Sequence, residues 1–414
     1  MTYLRAWNEN EKNTWRLLRS TDGGKTFATI YESTNETRAP VIETDDHGTI
    51  YLAHPEGVNF TGTNSYLYRF TPENNFTNPT KTTIPNSASG KYSMILDKSR
   101  SQLYYFSYEN GSRTEYGSFT TIGLNGVIKS NYQLTKPGTS AFVMYPYLYL
   151  DANNNLYAAW TNQKFGLYMY WDIHFVLSKD GGVTWQKPDG AVLSLPIVSD
   201  ETGPTDRITL DDEFNIHTWL WTLIVKNGKV HLPYMAQASP YNRQHYARFD
   251  LRSAKKDLDT YPEWKGKTIS VQSFDGFCAT RVTQPDYPLY CISETADRRL
   301  GVLVSYDNGT SWRDYAVSDF NDQNLYAIGG AREVTADGYI IGSYTDARTI
   351  NAVRFFKVKV DISASPSVTP TPQPLPGDID GNGKVDSEDY NLLVADFGKT
   401  TPTPADIDEN GKVD

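Results

Sequence analysis

Cysteine, histidine and methionine are scarce in this 414-residue chain, which holds two, six and five of them. Two thiols with no histidine nearby exclude the usual structural zinc sites. Cys278 and Cys291 flank a stretch that suits two neighbouring antiparallel strands, so a bridge and two buried thiols are both open readings. No apolar run reaches the roughly 18 residues that a membrane-spanning helix needs. Clustered basic residues are missing too, which removes the usual sign of a nucleic-acid face. The net charge of −10 lies mostly at one end: from Gly377 onward there are ten acids and three lysines, so the body is near neutral. Met1 is followed at once by Thr-Tyr-Leu-Arg-Ala-Trp, which reads as a strand, so the first residues of the natural protein are expected to be missing.

Aromatics are plentiful instead, with 29 Tyr, 17 Phe and 9 Trp. Together with Thr they favour the pleated, half-buried surface of strands. A two-strand unit recurs six times: a short apolar strand, a polar turn, and a second strand often rich in Tyr. The predicted first strands begin near Ala39, Tyr92, Pro146, Trp221, Cys278 and Glu333, and their partners near Thr49, Leu103, Leu156, Lys229, Leu289 and Tyr339. Asn227-Gly228 and Asp337-Gly338 suit tight hairpins. A spacing of roughly 50–75 residues means propeller blades rather than a sandwich. Tyr3–Trp7 matches Tyr157–Trp160 and reads as a lone second strand. The expectation is therefore seven blades, the first without its inner strand, with six blades as the alternative.

Three segments repeat Ser-x-Asp-x-Gly-x-Thr/Ser-aromatic: Ser20–Phe27, Ser178–Trp185 and Ser305–Trp312. Their Asp and hydroxyl oxygens suit local backbone N–H groups, and the glycine permits positive φ. Asp22, Asp180 and Asp307 thus read as turn staples, not catalytic acids. The segments resemble the Asp-box, or bacterial neuraminidase repeat, and imply an all-β, sialidase-like β-propeller over residues 1–361. Over 142–195 the likeness is nearest to the propeller family that includes polysaccharide lyases, carried by Tyr145-Pro-Tyr, Leu156-Tyr-Ala-Ala-Trp160, the second Asp-box and Asp189–Pro196. Lyases of that family use a His with Tyr and Arg in the central funnel. Here the matching triplet reads Tyr170-Trp171-Asp172, which puts Trp171 at the family's His, with His174 three residues on. Arg38-Ala-Pro40 is similar to the Arg-x-Pro that precedes an inner strand in sialidases.

Residues 362–376 are crowded with Pro, Ser and Thr, a composition that makes an extended spacer and no core. Residues 377–414 resemble a type I dockerin, an EF-hand-like calcium module. Asp378, Asp380, Asn382, Lys384 (through its carbonyl), Asp386 and Asp389 fall at loop positions 1, 3, 5, 7, 9 and 12, with Gly383 at the sharp turn. A short helix is expected over Asp389–Phe397. A second loop, Asp406, Asp408, Asn410 and Asp414, stops before its last ligand, so the tail is expected to be truncated. The resemblance implies Ca2+ as cofactor and a cohesin-like scaffold module as partner.

In a propeller, the segments entering each inner strand and leaving the second strand meet at one mouth of the channel. The repeats put Arg38, Tyr145, His217 and Arg332 there as candidate catalytic groups, joined by His174 from the lyase likeness. His54, Asn162, Trp219, Glu294, Asp346 and Arg348 join them as candidate substrate contacts, together with Trp171. Paired guanidiniums suit a sugar carboxylate or sulfate, and a nearby His or Tyr suits proton transfer. The chain reads as an extracellular or cell-surface protein that hydrolyses or eliminates within a polysaccharide and rides on a scaffold. The alternative is a non-catalytic propeller that binds glycan or protein.

Overall fold

In the computed structural model the chain divides into two compact units, Met1–Ile362 and Ser363–Asp414. The structure describes residues 2–5, 14–33, 40–55, 63–88, 90–108, 116–139, 141–164, 170–200, 217–220, 222–238, 241–251, 255–260, 276–295, 299–319, 325–346, 352–360 and 387–398. Among them, the first unit folds into seven sheets that follow one another along the chain.

The first sheet is β1 (Thr2–Arg5), β2 (Thr14–Arg19) and β3 (Ala28–Glu32), and the second is β4 (Val41–Thr44), β5 (Ile50–Pro55), β6 (Ser65–Phe70) and β7 (Thr80–Ile84). The third holds β8 (Tyr92–Asp97), β9 (Gln102–Tyr108), β10 (Gly117–Gly123) and β11 (Ile128–Pro137), and the fourth β12 (Ala141–Leu150), β13 (Leu156–Lys164) and β14 (Tyr170–Ser178). A short β15 (Ile197–Ser199) then adds in parallel to β11. The fifth sheet starts with a first strand broken into β16 (His217–Leu220) and β17 (Ile224–Lys226), then runs β18 (Lys229–Ala238), β19 (Tyr241–Asp250) and β20 (Lys255–Thr260). The sixth is β21 (Gly276–Ala279), β22 (Leu289–Glu294), β23 (Leu300–Ser305) and β24 (Arg313–Val317), and the seventh β25 (Leu325–Gly330), β26 (Tyr339–Asp346) and β27 (Ala352–Lys359). Apart from β15, strands within each sheet pair antiparallel with their neighbours in sequence.

The core lies between sheets rather than in one centre, which is the propeller-like arrangement. Trp15, Leu52 and Phe70 join the first sheet to the second, and Tyr51, Met94 and Tyr105 the second to the third. Phe106, Phe119, Trp160 and Trp185 fill the next gap, followed by Phe175, Leu232 and Phe249 between the fourth and fifth sheets. Phe277, Tyr290 and Ile340 join the sixth to the seventh. At about 25 cal/mol per Å2 of apolar area removed from water, these aromatic layers are the main drive for stacking the sheets. The first strands also neighbour one another, β4 on β8, β8 on β12, β12 on β17 and β21 on β25, so they line the axis. The last sheet returns to the first: the Phe27 and Phe355 rings lie 5.2 Å apart. Gly24 permits that closure, because a Cβ there would stand 2.2 Å from the Phe355 ring, and its φ is +91°.

All three Ser-x-Asp-x-Gly repeats adopt one turn. Ser20, Ser178 and Ser305 Oγ donate to Asp22, Asp180 and Asp307 at 2.8, 2.7 and 2.8 Å, and accept from the N–H of Gly24, Gly182 and Gly309. The other carboxylate oxygen accepts from the hydroxyl of Thr26, Thr184 or Ser311 at 2.6 Å. At Asp180, burial pulls the carboxyl pKa up, but bonds from Thr184, Ser178 and Val183 outweigh it and hold the group below the carboxylate range. A depressed carboxyl contributes stability above its unfolded pKa and loses it as pH falls through the folded value. Asp180→Asn is therefore expected to cost about 0.5–1 kcal/mol at pH 7, after discounting for solvent screening of this exposed group. Urea unfolding of both proteins should show the gap closing as the solution is acidified toward pH 2.

Where the sequence places first strands at Trp221–Val225 and from Glu333, the structure differs. The fifth first strand starts earlier, at His217, and is broken into β16 and β17; the seventh is β25, ending before Glu333. In the second unit α1 spans Ser387–Asp396, starting two residues ahead of the expected helix. No helix among the described residues is long and apolar enough to cross a membrane.

Candidate functional site

The mouth is built from the starts of first strands and the ends of second strands. His217 pairs with Gln237 across β16 and β18, and Leu325 pairs with Asp346 across β25 and β26. Tyr145 lies inside β12, at an irregularity between Met144 and Tyr147, and takes φ +49°. A non-glycine residue in that region stores strain that its surroundings must hold. Its ring is half-buried under the Lys91 ammonium, 4.2 Å from the centroid. Lysine beside a tyrosine face at the start of β8 is an arrangement able to meet a sugar ring and a negative group together.

His54, Asn162, His174 and Glu294 are buried. His54 is fully buried among Trp15, Tyr66 and Tyr68, stacked on Tyr68 at 5.4 Å, because the first two sheets close over the end of β5. Its Nδ1 lies 2.8 Å from the Pro55 carbonyl. Glu294 closes β22 with 2 % exposure. Asn162 and His174 are fully buried partners on β13 and β14, with Asn162 Nδ2 3.0 Å from His174 Nε2. All four sequence-predicted candidates are thus buried side chains of the stacked sheets.

Arg332 is also relocated. It follows β25, and the adjacent Ala331 N–H bonds to Ile341 near the start of β26, so Arg332 belongs to the hairpin-turn end of the axis. That end is about 20 Å from Leu325 at strand rise. Its guanidinium meets Glu43 at 3.4 Å and the Met94 carbonyl at 3.3 Å, tying the seventh sheet to the second and third. The sequence places Arg332 ahead of a first strand, whereas in the structure it follows one, β25.

Around Arg332 stands a polar cluster that the sequence reading missed. Burial raises the Glu43 carboxyl, against the pull of Arg332 and Lys98. Glu333 stays open to solvent on one side, yet desolvation raises its carboxyl to about 7, opposed by a Val282 backbone bond, Lys226 and Arg281. Lys226 is buried and pushed down to about 8 by desolvation, and its ammonium donates to Thr280 Oγ1 at 3.0 Å and to the Tyr287 carbonyl. Burial likewise raises the Tyr149 phenol, whose buried hydroxyl has no hydrogen-bond partner among the described residues. Each of these side chains comes from a first strand or just after one, and single carboxylates or lysines on apolar strands carry no motif. A carboxyl with a raised folded pKa favours folding below its unfolded value near 4.5, and that contribution is lost as pH rises through about 7. Glu333→Gln should thus leave stability unchanged at pH 5 and raise it at pH 8 by about 1 kcal/mol, after discounting for solvent screening. Thermal unfolding at the two pH values checks this.

Arg38, Arg348 and both calcium loops up to Asp386 and from Asp406 lie outside the described residues, as do the side chains of Trp171, His217, Trp219, Asp346 and Asp389. For Trp171 the backbone is placed, opposite Asn162.

No protein-family model matches this sequence, and no curated protein matches it. Solved structures do. One is a polysaccharide lyase of the PL25 family, an ulvan lyase bound to a -[GlcA(1-4)Rha3S]- segment, similar at TM-score 0.57 and 13% identity over 78% of this chain and 79% of that one. Another is the polysaccharide lyase Uly1, at TM-score 0.56 and 12% identity over 87% and 88%. At such identity the likeness is one of fold, and this chain shares a β-propeller-like fold with those carbohydrate-active proteins.

Proposed function

We propose that the first unit is a seven-bladed, Asp-box propeller that cleaves an acidic polysaccharide outside the cell, by hydrolysis or β-elimination. The observation that carries the reading is the mouth itself, where the ring of Tyr145, held at positive φ inside β12, meets Lys91 just ahead of β8. The fold shared with polysaccharide lyases supports it. Within this reading Arg38 and Lys91 hold the sugar's carboxylate or sulfate, while Tyr145 or His217 moves a proton. The tail, 377–414, binds Ca2+ and docks to a cohesin-like scaffold module.

A second reading, a glycan-binding propeller without catalysis, is favoured by one observation: His54 and His174 are both fully buried. Incubating the full chain with acidic and neutral polysaccharides, and following new reducing ends and unsaturated products, separates the two. New ends from an acidic glycan are expected, and Arg38→Ala should lower turnover by about 100-fold with little change in melting temperature. Binding without product would establish the second reading, and neither binding nor product would refute both.

A further inference from the structure

The chain Trp160, Ser199, Asn162 and His174 is fully buried, and it has a direction. Trp160 Nε1 lies 2.9 Å from Ser199 Oγ, Ser199 Oγ lies 2.5 Å from Asn162 Oδ1, and Asn162 Nδ2 lies 3.0 Å from His174 Nε2. An indole nitrogen only donates, so Ser199 accepts there. Those two contacts are the ones the Ser199 hydroxyl makes among the described residues. Its single hydroxyl hydrogen therefore goes to Asn162, since the opposite amide orientation would strand a buried hydroxyl hydrogen. The Asn162 oxygen is then taken, and its NH2 points at His174 Nε2. Nε2 must accept, which puts the ring proton on Nδ1. The Trp160 ring, stacked on the imidazole at 6.0 Å and 10°, holds it in that plane.

The chain also joins two sheets. Ser199 ends β15, which pairs with β11 of the third sheet, whereas Trp160, Asn162 and His174 belong to the fourth. The next residue, Asp200, accepts the Thr139 N–H at 2.7 Å, in the crossing from β11 to β12 that leads to Tyr145. We infer that His174 is a positioning residue, not a catalytic one: a neutral, Nδ1-protonated ring whose Nε2 accepts from a one-way chain that starts at Trp160 and so fastens β15 and the crossing to β12 beneath the mouth. Only the turnover arm of its test rests on the proposed function.

The test uses the full chain. Long-range 15N–1H correlation spectra at pH 7 are expected to show His174 as the Nδ1–H tautomer. Ser199→Ala frees the amide to turn, and should give both tautomers and amide exchange about tenfold faster at Ile197–Ser199, with Leu300–Ser305 unchanged. Ser199→Thr restores the hydroxyl and should restore both readouts. On an acidic glycan that the wild type cleaves, Ser199→Ala should raise KM about tenfold with kcat within about twofold. His174→Gln, which retains an acceptor, should keep kcat within about threefold. An Nε2–H tautomer in the wild type overturns the inference. So does a collapse of kcat in His174→Gln with exchange at β15 unaltered. If the wild type cleaves no glycan, the proposed function falls, and the tautomer and exchange results still decide this one.

Discussion

Asp378→Ala is expected to weaken calcium binding to the full chain by about 100-fold or more, on the order of 3 kcal/mol. Asp378 stands at position 1 of the loop and is the acid that begins the Asp-x-Asp-x-Asn-Gly spacing. Calcium gathers six to eight oxygens, and each ionised ligand that is lost removes both a bond and a negative charge. Asp389, at position 12, lies in the first turn of α1, so ion binding and helix order should be coupled. Titration calorimetry on the wild type should show one tight site, with helicity rising in circular dichroism as calcium is added. Asp180→Asn should leave the titration untouched, because its carboxylate serves a turn in the other unit. Wild-type protein giving neither heat nor added helicity would end the calcium assignment of this tail.

Replacing both Cys278 and Cys291 with serine is expected to lower the unfolding free energy by about 3 kcal/mol, from the chain entropy returned to the unfolded state by a loop of this length. The two cysteines face each other directly across β21 and β22, 4.1 Å apart at Cα, and are bonded. The loop they close carries Tyr287, whose carbonyl accepts from Lys226 of the neighbouring sheet. Opening it should therefore loosen the fifth sheet against the sixth as well. Urea unfolding with and without a thiol reductant checks this. The reductant should shift the wild type to the variant's midpoint and leave the variant unmoved; equal midpoints without reductant would refute it.

Repeats and turn chemistry made the architecture legible before any tertiary contact was known. Alternating apolar strands, Asn-Gly and Asp-Gly hairpins and the three Ser-x-Asp-x-Gly turns are local, fixed by backbone preferences and by side-chain oxygens within four residues. The same holds for α1, announced by an apolar face after an acid-rich loop. What the sequence could not give was the facing of each side chain. His54 and Asn162 sit near the ends of β5 and β13 and His174 in the middle of β14, and only the stacking of neighbouring sheets buries them. Arg332 follows a first strand rather than leading into one, because an apolar run cannot say where along it pairing begins. Glu43, Tyr149, Lys226 and Glu333 are separated by up to 290 residues and become one cluster only when the first strands close around the axis. Local bonding wrote the strands and turns into the sequence by itself. Burial and long-range electrostatics, which depend on what every other sheet contributes, decided which polar groups meet and which are sealed away.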